Sequence, residues 1–364
     1  MQYSMAGLRN SSRSDTMSAM RILAIETSCD ETALALLEAS GGLSKPKYKV
    51  VHNAVASQIE IHRPFGGVVP NLAKREHLKN LPVLFEELKK ELGKKKIDAV
   101  AVTVGPGLEP ALWTGVGFAK EMHKRHFPKA SLIGVNHMEG HLFSFLLAKE
   151  MRKNEYGIER VKELFPAIGV VVSGGHTMLI RMDSLVKWKK LGETRDDAVG
   201  EAFDKVARIL SLPYPGGPEV EKRARSGNPQ AIPFPRPMSG TPDYDFSFSG
   251  LKTSVLYYMR DHAHASADDV AASFQAAVID VLLKKTERAA RAYGARSLLL
   301  SGGVAANTAL RGALKAKAAS LHASFLAPSF AFNTDNAAMI GVAAHMSMLR
   351  GKNRRIAAQA NLSL

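Results

Sequence analysis

Residues 21–37, RILAIETSCDETALALL, decide how the rest of the chain is read. An apolar, strand-like stretch from Arg21 to Ile25 meets the polar run Glu26-Thr27-Ser28-Cys29-Asp30, and apolar sequence resumes from Thr32 to Leu37. Two strand-length apolar runs around a short polar turn predict a hairpin. Residues 167–181, AIGVVVSGGHTMLIR, repeat the arrangement around Ser173-Gly174-Gly175-His176.

The repetition extends outward from both hairpins. A further strand-like segment follows each, then a helix, expected over about 69–92 in the first half and 196–210 in the second. Next come buried strands at 98–104 and 297–300, which run into Gly105-Pro106-Gly107 and Ser301-Gly302-Gly303, each expected to open a helix. Third strands at 131–135 and 324–327 close the pattern. Two copies of one strand–helix order predict an α/β protein of two duplicated lobes facing a central cleft. We place the first lobe at 21–150 and the second at 151–350, with a helical and loop insertion at about 212–290 and a tail at 351–364. Eight prolines between Leu212 and Asp245 predict an ordered loop over the cleft there, outside the core.

Composition narrows the function classes. At 364 residues, 46% hydrophobic and 23% charged, the chain suits two globular domains. No apolar run approaches the roughly 18 residues of a membrane span. Cys29 is the only cysteine, which rules out an intrachain disulfide and fits a reducing, cytoplasmic setting. Residues 1–20 carry five serines and two arginines but no apolar stretch, so they do not read as a secretory signal. The readings left are a start placed too early, with Met20 the first residue, which we prefer; a transit peptide, which would imply an organelle; or a stretch left by cloning. The net charge of +15 points to a polyanionic partner, although a basic stretch such as 89–96 is equally a solvated helix face.

Chemistry concentrates at the turns. Glycine turns let backbone N–H groups approach phosphate oxygens, and a following helix adds its positive end. Any one such turn is as readily an ordinary tight turn; several at matching places in two lobes point to a nucleotide. Asn136-His137-Met138-Glu139-Gly140-His141 sets two imidazoles one helical turn apart. The matching segment of the second copy, Asn333-Thr334-Asp335-Asn336, would bring a carboxylate to the same cleft. Two histidines and one carboxylate suit one divalent ion, Fe(II) or Zn(II), with open positions for substrate. Glu139 follows two residues after His137, which is wrong for the H-E-x-x-H of a zinc protease, and reads as a local helical partner. Cys29 reads as structural. Asp30 is either a solvated turn carboxylate or a group that orients a nucleophile or ion, and we carry it as the candidate catalytic residue. For Glu31 the solvated reading is preferred.

These residues resemble the tRNA threonylcarbamoyladenosine transferases, a family once labelled sialoglycoprotein endopeptidases, which has the actin-like fold. The resemblance runs from Arg21 to about Gly341. Beyond the segments already quoted it includes Gly66-Gly67-Val68-Val69-Pro70, Gly200-Glu201-Ala202-Phe203-Asp204-Lys205, Tyr214-Pro215-Gly216-Gly217-Pro218, Phe234-Pro235-Arg236-Pro237 and Phe246-Ser247-Phe248-Ser249-Gly250-Leu251-Lys252. His176 and the Phe234–Pro237 run place it with the bacterial and organellar branch. The resemblance implies that His137, His141 and Asp335 are the metal ligands. It also implies that Val171, Val172, Ser173, Gly174, Gly175, Asp204, Gly217, Glu221 and Asn307 line a pocket for threonylcarbamoyl-AMP. The implied reaction moves the threonylcarbamoyl group to N6 of the tRNA adenosine beside the anticodon, in tRNAs that read codons beginning with A, and releases AMP. The implied partners are tRNA, an inactive paralogue that forms a heterodimer, and a small ATPase. Asn71 replaces a frequent glutamate, and the tail lacks the usual Pro-Arg-Trp ending. A small-molecule kinase or ATPase of the same fold explains the duplication but leaves both histidines idle; a non-enzymatic actin-like binding module and a metalloprotease explain less.

Overall fold

A computed structural model describes residues 19–93, 95–149, 151 and 161–364. Nearly all of the 1–20 segment therefore lies outside the described residues. The first half supplies β1 (Met20–Glu26), β2 (Glu31–Ser40), β3 (Lys47–Ser57), β4 (Ala99–Gly105) and β5 (Ser131–Asn136), ordered β3-β2-β1-β4-β5. The second supplies β6 (Ala167–Val172), β7 (Thr177–Met182), β8 (Trp188–Glu193), β9 (Ser297–Ser301) and β10 (Ser324–Leu326), ordered β10-β9-β6-β7-β8. Each sheet joins an antiparallel three-strand meander to parallel strands along one edge of its first strand, so the two have one topology. The actin-like duplicated architecture is present as expected.

Among the described residues the α-helices longer than one turn are α1 (Pro70–Leu92), α2 (Glu109–Arg125), α3 (His137–Phe143), α4 (Val199–Ile209), α5 (Gly216–Ala224), α6 (Ser249–Asp261), α7 (Ala267–Tyr293), α8 (Thr308–Ser320) and α9 (Ala337–Leu349). Strand alternation sorts the core into layers. Ile22 and Ala24 of β1 and Ala167 and Val171 of β6 face a central cluster between the sheets, which encloses α3 and α9. Leu23 and Ile25 turn the other way, onto α1 and α2. Ile168, Val170 and Val172 turn onto the helices outside the second sheet. Helix α9 is buried along almost its whole length, as its apolar sequence requires.

Four expectations shift. The second-half helix begins at Val199, three residues late, because Asp196 is occupied elsewhere. Its carboxylate accepts from Ser247 Oγ, Phe248 N, and both N and Oγ of Ser249, pinning the start of α6. The proline-rich stretch carries α5 and buries Val220, Ile232 and Phe234, so part of it is core. Pro218 sits in the first turn of α5, where a missing N–H breaks no helical bond. Helix α9, inside the range given to the second lobe, packs on β1, β2 and β5 of the first sheet. The tail is also part of the first half: Gln359 N donates to Val104 O, Gly107 N donates to Ala360 O, and Ile356 and Leu362 pack on the outer core.

Candidate active site

The two halves meet at a cleft of about 470 Å³. Its first-half wall is the β1–β2 turn with the turn after β4. Gly107 has φ 153°, and a side chain there would collide with Ser28, so the two turns touch through bare backbone. Leu108 N donates to Ser28 O at 2.8 Å, locking the turns together.

The histidine pair sits where β5 becomes α3. Asn136 caps the helix, its Oδ1 accepting from Met138 N at 2.7 Å and Glu139 N at 3.2 Å. In the second half Asn336 caps α9 through Met339 N at 3.1 Å, and Asp335 stands just before that cap. Both candidate ligand segments therefore straddle asparagine N-caps at matching places. At Gly140 a β-carbon would lie 3.0 Å from the Ile340 side chain, so the glycine permits the close approach of α3 and α9. Asp335 Oδ1 then lies 3.1 Å from His141 Nε2 and 3.5 Å from His137 Nε2. Ligand atoms of all three residues fall within 4.8 Å of one another.

The surroundings of this triad fit a cation. His141 is fully buried, yet neither of its ring nitrogens makes a directional hydrogen bond. A buried imidazole whose nitrogens lack well-directed hydrogen bonds is costly unless something fills its coordination. His137 is oriented from behind: its Nδ1 lies 3.0 Å from Glu26 Oε2, and Glu26 is fully enclosed at the end of β1. Glu26 also accepts from Thr103 Oγ1 at 2.7 Å and Ser28 N at 2.5 Å. A carboxylate behind a histidine fixes the ring with Nε2 toward the ion. Burial works against a charged His137, but Asp335 and Glu26 outweigh it and lift its pKa to about 9. Burial would also raise Asp335, yet His137 and His141 hold it far below the usual carboxylate range. A proton and a cation would thus compete for one strongly attractive position.

The cleft's own charge favours the same reading. Five carboxylates line it: Asp30, Glu31, Asp204, Glu221 and Asp335. Among the described residues no lysine or arginine does so. His176 offers no compensation, since burial and the nearby His137 and His141 push its pKa down to about 4. Glu31 is not the solvated carboxylate expected. Burial, with Asp30 and Asp335 close by, raises its pKa well above the ordinary value. Cys29 lines the cleft, with its thiol pushed up by burial and then by Asp30.

The second-half wall carries the glycine turns. Ser173, Gly174 and Gly175 line the cleft, with open space where β-carbons of Gly174 and Gly175 would stand. The turn rests on the start of α4, where Gly200 N donates to Ser173 O at 3.2 Å, so the positive end of that helix points at the turn. Gly302 has φ 92°, and a β-carbon would meet Val172 O at 2.2 Å. Gly303 opens only a single 3-10 turn, and α8 follows Asn307, which caps it through Leu310 N. Asp204 accepts from Gly216 N at 2.7 Å. Glu221 holds Thr308 N at 3.0 Å. Gly217 and Asn307 line the cleft beside them, whereas Val171 and Val172 are core residues of β6 that carry the turn. Glu139 is not a local partner: it is buried and pairs with Arg350 and Arg354 at 3.2 and 3.1 Å.

A family model, TsaD: tRNA N6-adenosine threonylcarbamoyltransferase, matches residues 49–342. The chain belongs to the tRNA N6-adenosine threonylcarbamoyltransferase family. The relative from Moorella thermoacetica is 49% identical over 335 residues, covering 90% of this chain and 92% of its own. That from Fervidobacterium nodosum is 46% identical over 343 residues, covering 92% and 95%. Both bear the name tRNA N6-adenosine threonylcarbamoyltransferase. Among solved structures, HypF of T. kodakarensis aligns with TM-score 0.59 at 15% identity, over 92% of this chain and 48% of that one. The activator of 2-hydroxyisocaproyl-CoA dehydratase from Clostridium difficile aligns with TM-score 0.50 at 12% identity, over 91% and 96%. At these identities the likeness shows the fold alone. Within this threonylcarbamoyltransferase, Glu26 and Thr103 are site residues that the sequence reading passed over. The available signal was a charged residue ending an otherwise apolar buried strand.

Proposed function

We propose that the chain transfers the threonylcarbamoyl group from threonylcarbamoyl-AMP to N6 of the adenosine beside the anticodon, in tRNAs that read codons beginning with A. Membership of the family supports the reaction, and the observation that carries the site is the cleft's charge. An anionic adenylate has five carboxyl groups to meet and, among the described residues, no lysine or arginine, so the pocket calls for a cation to accept it. His137, His141 and Asp335 would hold one divalent ion, Fe(II) in preference to Zn(II), which would supply Lewis acidity and positive charge. The Ser173–Gly175 backbone and the start of α4 would favour the phosphate, and Asp204, Glu221 and Asn307, which line the cleft, would serve as polar partners for the nucleoside. In the reaction N6 bonds to the carbamoyl carbon, the carbon–oxygen bond to phosphate breaks, and one N6 proton leaves. Asp30, at the cleft wall, is the carboxylate to take that proton.

The surplus of 15 positive charges supports tRNA as the polyanion, read outside this acidic cleft. An inactive paralogue and a small ATPase are the protein partners, and the cytoplasm the place of action. No helix among the described residues is long and apolar enough to cross a membrane. The test supplies threonylcarbamoyl-AMP with labelled threonine, tRNA and the partner proteins, without ATP in the transfer step. Label in tRNA with one AMP released per transfer is the expected result. No transfer, with ATP-dependent phosphorylation of a small acid or sugar instead, would replace this function by a kinase's.

A further inference from the structure

Three consecutive carbonyls of the β1–β2 turn are each held by an N–H from a different element. Ser28 O accepts from Leu108 N at 2.8 Å, Asp30 O accepts from Gln58 N at 3.0 Å, and Cys29 O lies 3.0 Å from His77 Nε2. The first two donors are backbone. The third is a side chain on α1, with no exposed surface and no place in the cleft itself. Because a carbonyl only accepts, His77 carries its proton on Nε2. Its Nδ1 is then an acceptor, and it lies 2.8 Å from Thr32 Oγ1 and 3.2 Å from Gln58 Nε2, both able to donate. Both ring nitrogens are thus used, and the Cys29 carbonyl fixes the tautomer that the other two neighbours can satisfy. Burial lowers the His77 pKa, which agrees with a neutral ring.

We infer that His77 is a positioning residue: by clamping the Cys29 carbonyl it fixes the Asp30–Glu31 backbone so that these two carboxylates face the substrate. The inference rests on the transfer function proposed above. Gln58 reinforces the clamp, since its backbone N–H holds Asp30 O, its side-chain amide reaches His77, and its Oε1 lies 3.1 Å from His62 Nε2. The turn is anchored to the chain entering α1 by the same route, as Val69 N donates to His62 Nδ1 at 3.3 Å.

Side-chain reach gives a specific test. Glutamine can place an amide N–H near the Nε2 position of histidine, asparagine only near Nδ1, and leucine fills the volume with no donor. Transfer from threonylcarbamoyl-AMP to tRNA is measured for wild type, His77→Gln, His77→Asn and His77→Leu, with nucleotide affinity and thermal unfolding of each. In folded protein, kcat should fall at least about tenfold in His77→Leu and His77→Asn, as expected of a displaced catalytic turn, while nucleotide affinity changes less than about threefold. His77→Gln should recover most of kcat. A merely structural role predicts instead that activity follows unfolding temperature without favouring glutamine. Full kcat in folded His77→Leu, or glutamine no better than asparagine, overturns the inference. Nitrogen-15 spectra of the wild-type histidines test it without any variant: His77 must show the neutral, Nε2-protonated form, and the Nδ1-protonated form or a cation overturns it. Wild type that transfers nothing refutes the function, whereas wild type that transfers beside an equally active His77→Leu refutes only the role of His77.

Discussion

Glu26→Gln changes one oxygen to one amide and leaves volume nearly constant, which makes it the sharpest probe of the proposed metal centre. The buried carboxylate receives donors on both oxygens: Ser28 N–H on Oε1, and Thr103 O–H with His137 Nδ1–H on Oε2. An amide has only one acceptor. If its oxygen takes the Oε2 place, its NH₂ meets the Ser28 N–H. If its NH₂ takes that place, it faces Thr103 and His137, and His137 answers by moving its proton to Nε2, the nitrogen required for the ion. Either arrangement removes a negative charge from beside a ring that Glu26 helps hold near a pKa of 9. Loss of such an orienting partner costs about 10- to 100-fold in metal affinity, or roughly 1.4–2.7 kcal/mol. The burial of Glu26 argues for the upper half of that range. Competition against a calibrated chelator, with circular dichroism as a control for folding, measures the change. Wild-type metal affinity in a folded Glu26→Gln protein would refute the orienting role. Stoichiometric metal in a folded His141→Ala protein would refute the centre itself.

A C-terminal deletion and a pH series extend the test beyond the cleft. Removing Ser363 and Leu364 takes away the carbonyl that accepts from Asn136 Nδ2 at 2.8 Å. A mostly buried donor is left unpaired at a cost of about 1–3 kcal/mol, and calorimetry should show a lower unfolding temperature with the fold retained. His345 is fully enclosed, and burial pushes its pKa down to about 4. The unfolded chain takes up that proton near pH 6.5, so the stabilising effect of the neutral ring is complete above about 6.5 and is lost as pH falls toward 4, by up to about 3 kcal/mol. A folded His345→Leu protein should lose stability less steeply than wild type over that window, and an identical slope would count against the assignment.

The sequence revealed the duplication because period and turn chemistry are local properties. The hairpins at 21–37 and 167–181 and the glycine turns after β4 and β9 each announced themselves within about fifteen residues. Interactions that depend on distant partners stayed hidden. Nothing near Asp196 says that its carboxylate is spent on Ser247 and Ser249, about fifty positions away, and so the start of α4 was placed too early. Proline density suggested a loop at 212–245, but a proline in a helix's first turn is compatible with α5, and neighbours on α7 decide that the segment is buried. Glu139 looked local for the same reason, since its arginines lie more than two hundred residues downstream.

The site was legible to a different depth on each side of the cleft. His137 and His141 share one helix face, and the duplication carries the eye from Asn136 to Asn336 and hence to Asp335. The chemistry that makes those residues more than a spacing pattern is tertiary. It lies in an enclosed glutamate behind His137, an imidazole at His141 that faces Asp335 without a well-directed hydrogen bond, and a cleft whose charge is wrong for an anion. Asp30 and Glu31 show the limit most plainly. In a polar turn Glu31 reads as solvated and Asp30 reads either way, yet the fold buries the turn against two others and clamps its carbonyls from three directions. Burial, with Asp30 and Asp335 close by, therefore raises the pKa of Glu31 well above its ordinary value. A turn that must hold Asp30 and Glu31 in one orientation needs the external clamps that Leu108, Gln58 and His77 provide, and only the folded chain brings those three residues to it.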